Sequence, residues 1–114
     1  MKIDFSYITD VANGRTELLV KLLKTISANL EEYPINMQNA FDKGDYMSLG
    51  EIAHKYKSSV GYLGNEGFTQ LLTMIDQIRD EEVVDAEETK LFLDEVINHS
   101  ASIKAQIDLK LKEF

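Results

Sequence analysis

Residues 49–64 read LGEIAHKYKSSVGYLG, and this stretch decides the fold. Leu49, Ala53, Tyr56, Val60 and Leu63 recur at alternating spacings of four and three, the pattern of a helical stripe buried against other helices. The opposite face is different in kind. The positions that flank His54 at three, four and seven residues are Gly50, Glu51, Lys57, Ser58 and Gly61, so the histidine faces outward from a surface cleared of bulk. Glycine inside a helix costs about 1 kcal/mol relative to alanine. Close approach by another molecule explains Gly50 and Gly61 on this face. Close packing of a neighbouring helix is the alternative, and at Gly61, near the helix end, fraying is another.

Upstream, Phe5, Ile8 and Val11 predict a short amphipathic helix over 4–12, ended by Asn13 and Gly14, which tolerate the left-handed conformation. Leu19, Leu23, Ile26, Leu30, Tyr33 and Met37 then form the stripe of a long helix from 15 or 16 to about 41. Leu18 and Leu22 make a secondary strip on which the first helix can pack. Pro34 lies inside the run, and because the stripe stays in phase across it a kink is expected rather than a stop. Asp42, Lys43, Gly44 and Asp45 read as a polar turn, with Asp45 as the N-cap of the His54 helix.

Downstream, Gly64 closes that helix and Asn65 caps the next, whose buried side is Phe68, Leu71, Leu72, Ile75 and Ile78. An acidic linker over 80–85 precedes a last helix that starts near Ala86, runs nearly to Phe114, and buries Leu93, Val96, Ser100, Ile103, Ile107 and Leu111. No segment alternates as a strand does. The expected fold is all-α, an antiparallel up-and-down four-helix bundle with an additional short N-terminal helix, in one domain over 1–114. At ~1.5 Å per residue the second and last helices reach about 40 Å, against roughly 25 Å for the His54 helix, so the longer pair should project at one end.

Composition excludes several function classes. The 114 residues suffice for one domain with a real core, and 44% apolar with 28% charged residues is ordinary globular usage. No cysteine is present, which removes disulfides, thiol catalysis and thiolate metal sites. Neither a leader nor a membrane span is legible, so a cytoplasmic protein is expected. A net charge of −8 argues against nucleic acid, which needs a basic face. Lys55 and Lys57 nevertheless stand beside His54, a small positive spot that suits a partner with a concentrated negative site.

A neutral imidazole nitrogen is a good nucleophile near neutral pH, and a phosphoryl group on it would place negative charge within reach of the Lys57 ammonium one turn away. No phosphate-cradling glycine loop of the GxxxxGK[ST] type occurs, so the donor is expected to be another protein rather than a nucleotide. The run AHKYKSSVGYLG, residues 53–64, resembles the signature of histidine-containing phosphotransfer (HPt) domains. The likeness extends from the IDFSYI opening through FDKGDYMSLGEIAHKYK to MIDQI and becomes generic in the last helix.

The resemblance implies that His54 is the phosphoacceptor and Lys57 the phosphate-stabilising lysine, with Ser59 at the small polar position and Gly64 the closing glycine. Asp76 falls where the family often has Glu or Gln orienting the imidazole, and is shorter than either. Ser58 stands where the family has glycine. A receiver domain would dock over Gly50, Lys55, Ser58 and Gly61, with Ile52, Leu22 or Phe5 as apolar rim. The implied partners are response-regulator receiver domains and a hybrid sensor histidine kinase. The chain would be a monomeric, freestanding phosphocarrier rather than an enzyme, without a cofactor of its own, the magnesium belonging to the receiver.

Three other readings remain. One is a module of the same fold that holds a signalling partner without phosphotransfer. A second is a carboxylate-bridged metal bundle, prompted by the E-x-x-H spacing of Glu51 and His54, although that pair points outward and the other histidine, His99, lies four residues after Glu95 and so does not make the second such pair. The third is a structural bundle or oligomer in which Leu109, Leu111 and Phe114 of the last helix pair with another chain, or else dock on the N-terminal helix.

Overall fold

Five α-helices make up the computed structural model, which describes residues 2–114; no strand occurs among the described residues. They are α1 (Ser6–Ala12), α2 (Thr16–Asp42), α3 (Tyr46–Val60), α4 (Glu66–Asp76) and α5 (Ala86–Leu111). Single turns of the tighter 3-10 type follow α3 at Gly61–Leu63 and α4 at Gln77–Asp80. α2 packs against α3 and α5, α3 against α4, α4 against α5, and α1 lies on α2 and on the turn after α3. Among the described residues no helix is long and apolar enough to cross a membrane.

The helix starts follow from local chemistry. Asp45, Asn65 and Asp85 each accept a hydrogen bond from the backbone amide three residues on, those of Ser48, Phe68 and Glu88, satisfying donors that a helix cannot use itself. Such a cap contributes about 1 kcal/mol. Between α2 and α3 the chain reverses through Gly44, whose φ of 69° lies in the left-handed region where a side chain would be strained. α2 runs unbroken through Pro34. The proline ring is buried and the stripe keeps its phase across it, so packing holds the helix together although the Leu30 carbonyl loses its usual donor.

The stripes meet in one apolar core. Leu49, Ala53, Tyr56 and Val60 of α3 and Leu63 of the turn after it are buried as expected, as are Leu19, Leu23, Ile26, Leu30 and Met37 of α2 and Leu93, Val96, Ile103 and Ile107 of α5. Tyr33, Leu71 and Leu111 only border it. In α1 the inward positions are Ile8 and Ala12, whereas Val11 is exposed, because a helix of seven residues presents one narrow edge to α2.

A polar link crosses the core where the Tyr56 hydroxyl and Ser100 Oγ lie 2.7 Å apart, and Tyr56 packs beside Tyr33 and edge-on to Phe68. Burial pushes the Tyr56 hydroxyl well above the ordinary range, against the opposing pull of Ser100. The molecule extends 47 Å along its long axis. At the outer end of α5 the Ile3 amide donates to Gln106 Oε1, and the Lys110 ammonium sits 5.6 Å above the Phe5 ring, so the N-terminal segment docks there. Leu109 and Phe114 stay exposed beside it.

Candidate functional site

The outward face of α3 and the end of α4 come together around one carboxylate. Asp76 is the last residue of α4, and its side chain is only 11% exposed. His54 Nδ1 lies 3.0 Å from Asp76 Oδ2, and Lys57 Nζ approaches the same oxygen at 3.0 Å. The second carboxylate oxygen, Oδ1, accepts from the guanidinium of Arg79, whose Nε donates at 3.3 Å to the backbone carbonyl of Asp76. Three basic side chains thus converge on one acid.

Burial on its own would raise the Asp76 carboxyl. The hydrogen bonds from His54, Lys57 and Arg79 and the charge of Lys57 together outweigh it and hold the group at about 2. Asp76 is therefore ionised at neutral pH, and an ionised carboxylate can only accept. The proton in the contact belongs to His54 Nδ1. In the neutral ring this leaves the lone pair on Nε2, and the His54 side chain is 61% exposed, so that nitrogen is available to a reacting group from outside.

His54, Lys57 and Asp76, singled out in the sequence, are brought together here. Gly50 is not part of the open surface: it is buried, and the stem of Arg79 lies directly across it. A Cβ at this position would stand 2.8 Å from Arg79 Cδ and 3.1 Å from the Asp76 carbonyl oxygen. The cleared space expected for a docking molecule is filled by the protein itself. Gly61, unlike Gly50, lies at the end of the helix rather than inside it, since it forms the C-cap of α3, and an added Cβ there would meet open space.

Lys55 and Ser58 lie on the side of α3 that faces α2. With Leu18, Leu22, Ile26 and Tyr33 they line an open groove of about 470 Å³ whose surface is mostly apolar. Ser59 in its wall is engaged internally, accepting from Asn29 Nδ2 at 2.6 Å. Among the described residues no three His, Asp or Glu side chains gather as a ligand set. Glu51 is exposed, and His54 Nδ1 is occupied by Asp76.

Arg79 is the member that sequence reasoning missed. Its signal was present as an Asp-x-x-Arg spacing, which puts both side chains on one edge of a turn, but nothing in the sequence tied that spacing to Gly50 on another helix. No protein-family model, curated protein or solved structure matches the chain.

Proposed function

We propose that the chain is a phosphorelay intermediate that takes a phosphoryl group onto His54 from a receiver-domain aspartate and passes it to a second receiver. The observation that carries this reading is the pairing of an exposed imidazole with a buried, ionised carboxylate at Nδ1, which leaves Nε2 as the nucleophile. The HPt resemblance and the Lys57 ammonium at the same carboxylate support it.

In the proposed transfer the Nε2 lone pair forms an N–P bond as the P–O bond of the receiver's acyl phosphate breaks, its electron pair leaving with the receiver carboxylate. The Nδ1 proton stays in its hydrogen bond, and Asp76 stabilises the positive charge that the ring gains, the role a carboxylate plays beside histidine in hydrolytic triads. Lys57 turns from Asp76 toward the arriving phosphoryl. Most of the acceleration would come from positioning and charge neutralisation, with magnesium supplied by the receiver. No autonomous catalysis is expected of the chain, which would act as a cytoplasmic monomer.

The same reading takes α2 to α5 as an antiparallel up-and-down four-helix bundle carrying α1. Short connections between α2, α3 and α4, together with contacts that run from α2 to α3, α4, α5 and back to α2, support that arrangement.

Incubation with phosphorylated receiver domains should give wild-type protein an acid-labile, alkali-stable label, and the His54→Gln variant none. Label retained by that variant overturns His54 as the acceptor. No label from any receiver favours the module that docks a partner without transfer, for which the apolar groove beside Lys55 and Ser58 is the surface at hand.

A further inference from the structure

The two cations on Asp76 are not equivalent. Lys57 reaches Oδ2 from α3, sharing that oxygen with His54, and its ammonium is a flexible point charge that can leave. Arg79 holds the other oxygen from the turn that follows α4, and its planar fork also binds the Asp76 carbonyl. The stem that carries this fork lies where a Cβ of residue 50 would be, so only glycine at 50 leaves it room. Each oxygen of Asp76 therefore has its own task. If Lys57 moves to a phosphoryl group, Oδ1 keeps its partner and Oδ2 stays aimed at the imidazole.

We propose that Arg79, seated in the notch at Gly50, is a positioning residue that clamps the Asp76 carboxylate and through it fixes which nitrogen of His54 is free. The geometry of the clamp stands without a function, while its effect on transfer rests on the phosphocarrier reading. A merely structural role is the alternative: a cation near the C-terminal end of α4 favours the helix dipole. That role would change stability and leave the histidine proton where it is.

The test is the tautomer of His54, read from imidazole nitrogen resonances of the full chain followed through an alkaline pH series until they stop changing. Wild type is expected to show the Nδ1–H form. Arg79→Ala and Gly50→Ala should each release the ring to a mixture of both forms, with Arg79→Lys between them and wild type. Gly50→Ala keeps Arg79 in the chain and places a better helix former in α3, so it tests the clamp in a protein expected to fold. Because both changes unseat the same guanidinium, the double variant should be no worse than Arg79→Ala alone.

Phosphoryl acceptance by His54 should slow about tenfold in each single alanine variant, the usual order for loss of an orienting partner. A folded Arg79→Ala protein with the wild-type tautomer overturns the clamp, and a Gly50→Ala protein that keeps it overturns the seating. Additive effects in the double variant also count against a shared mechanism. A tautomer shift in a protein that no receiver can label supports the clamp and sinks the phosphocarrier reading, so the two failures are distinguishable.

Discussion

Asp76 and Asp108 are each held by a lysine and by a side chain from another helix, yet they sit in different surroundings. Asp108 is 43% exposed and pairs with Lys104 one turn earlier on α5 at 2.7 Å, while Ser27 Oγ of α2 donates to it at 2.6 Å. Its carboxyl is lowered by Lys104 and then by Ser27. Asp76 is 11% exposed and gathers donors from α3 and from its own turn. Burial is the largest influence on Asp76 and opposes its charge, and the hydrogen bonds of His54, Lys57 and Arg79 with the charge of Lys57 together outweigh it. At Asp108 burial counts for less than the bonds from Lys104 and Ser27. Loss of the partners should therefore cost less at Asp108 than at Asp76.

The change that most directly sharpens this contrast is Asp76→Asn, which leaves Lys57 and Arg79 without their shared anion. A loss of about 2 kcal/mol is expected in urea unfolding, the scale of hydrogen bonds to a charged group. The loss should depend on pH. The Asp76 carboxyl titrates at about 2 in the fold against an ordinary 3.8. Its contribution is complete above that ordinary value and disappears as pH falls through about 2, so the gap between wild type and variant should close over this interval.

Ser27→Ala should come next, at about 1 kcal/mol, since Asp108 loses one hydroxyl donor while it keeps Lys104. Lys104→Ala should cost least, as the loss of an exposed pair at this spacing usually does. A Lys104→Ala loss as large as that of Asp76→Asn would break the comparison.

Much of the fold could be read directly because periodicity and caps are local signals. The α3 stripe, the caps at Asp45 and Asn65, and the acidic linker ahead of Ala86 each depend on residues within a turn or two of one another. The outward direction of His54 was legible for the same reason. Gly50 was not, since a glycine that admits an external molecule and one that admits the Arg79 stem look alike until the neighbouring helix is in place. Val11 misled because seven helical residues are too few for period alone to choose between edges that both carry apolar side chains. The resemblance gave Ser59 only as a small polar position, and the approach of α2 is what bonds it to Asn29.

The buried Tyr56 hydroxyl sets a boundary at the alkaline end. Its ordinary value is 10.0, and burial raises it in the fold, so the folded chain retains a proton that the unfolded chain gives up. The stability tied to this group is therefore intact below that value and drains away as alkalinity rises beyond it. The tyrosinate absorption of Tyr56 should then appear together with the loss of helix rather than before it, so a single core phenol acts as both a weak point and its own optical indicator.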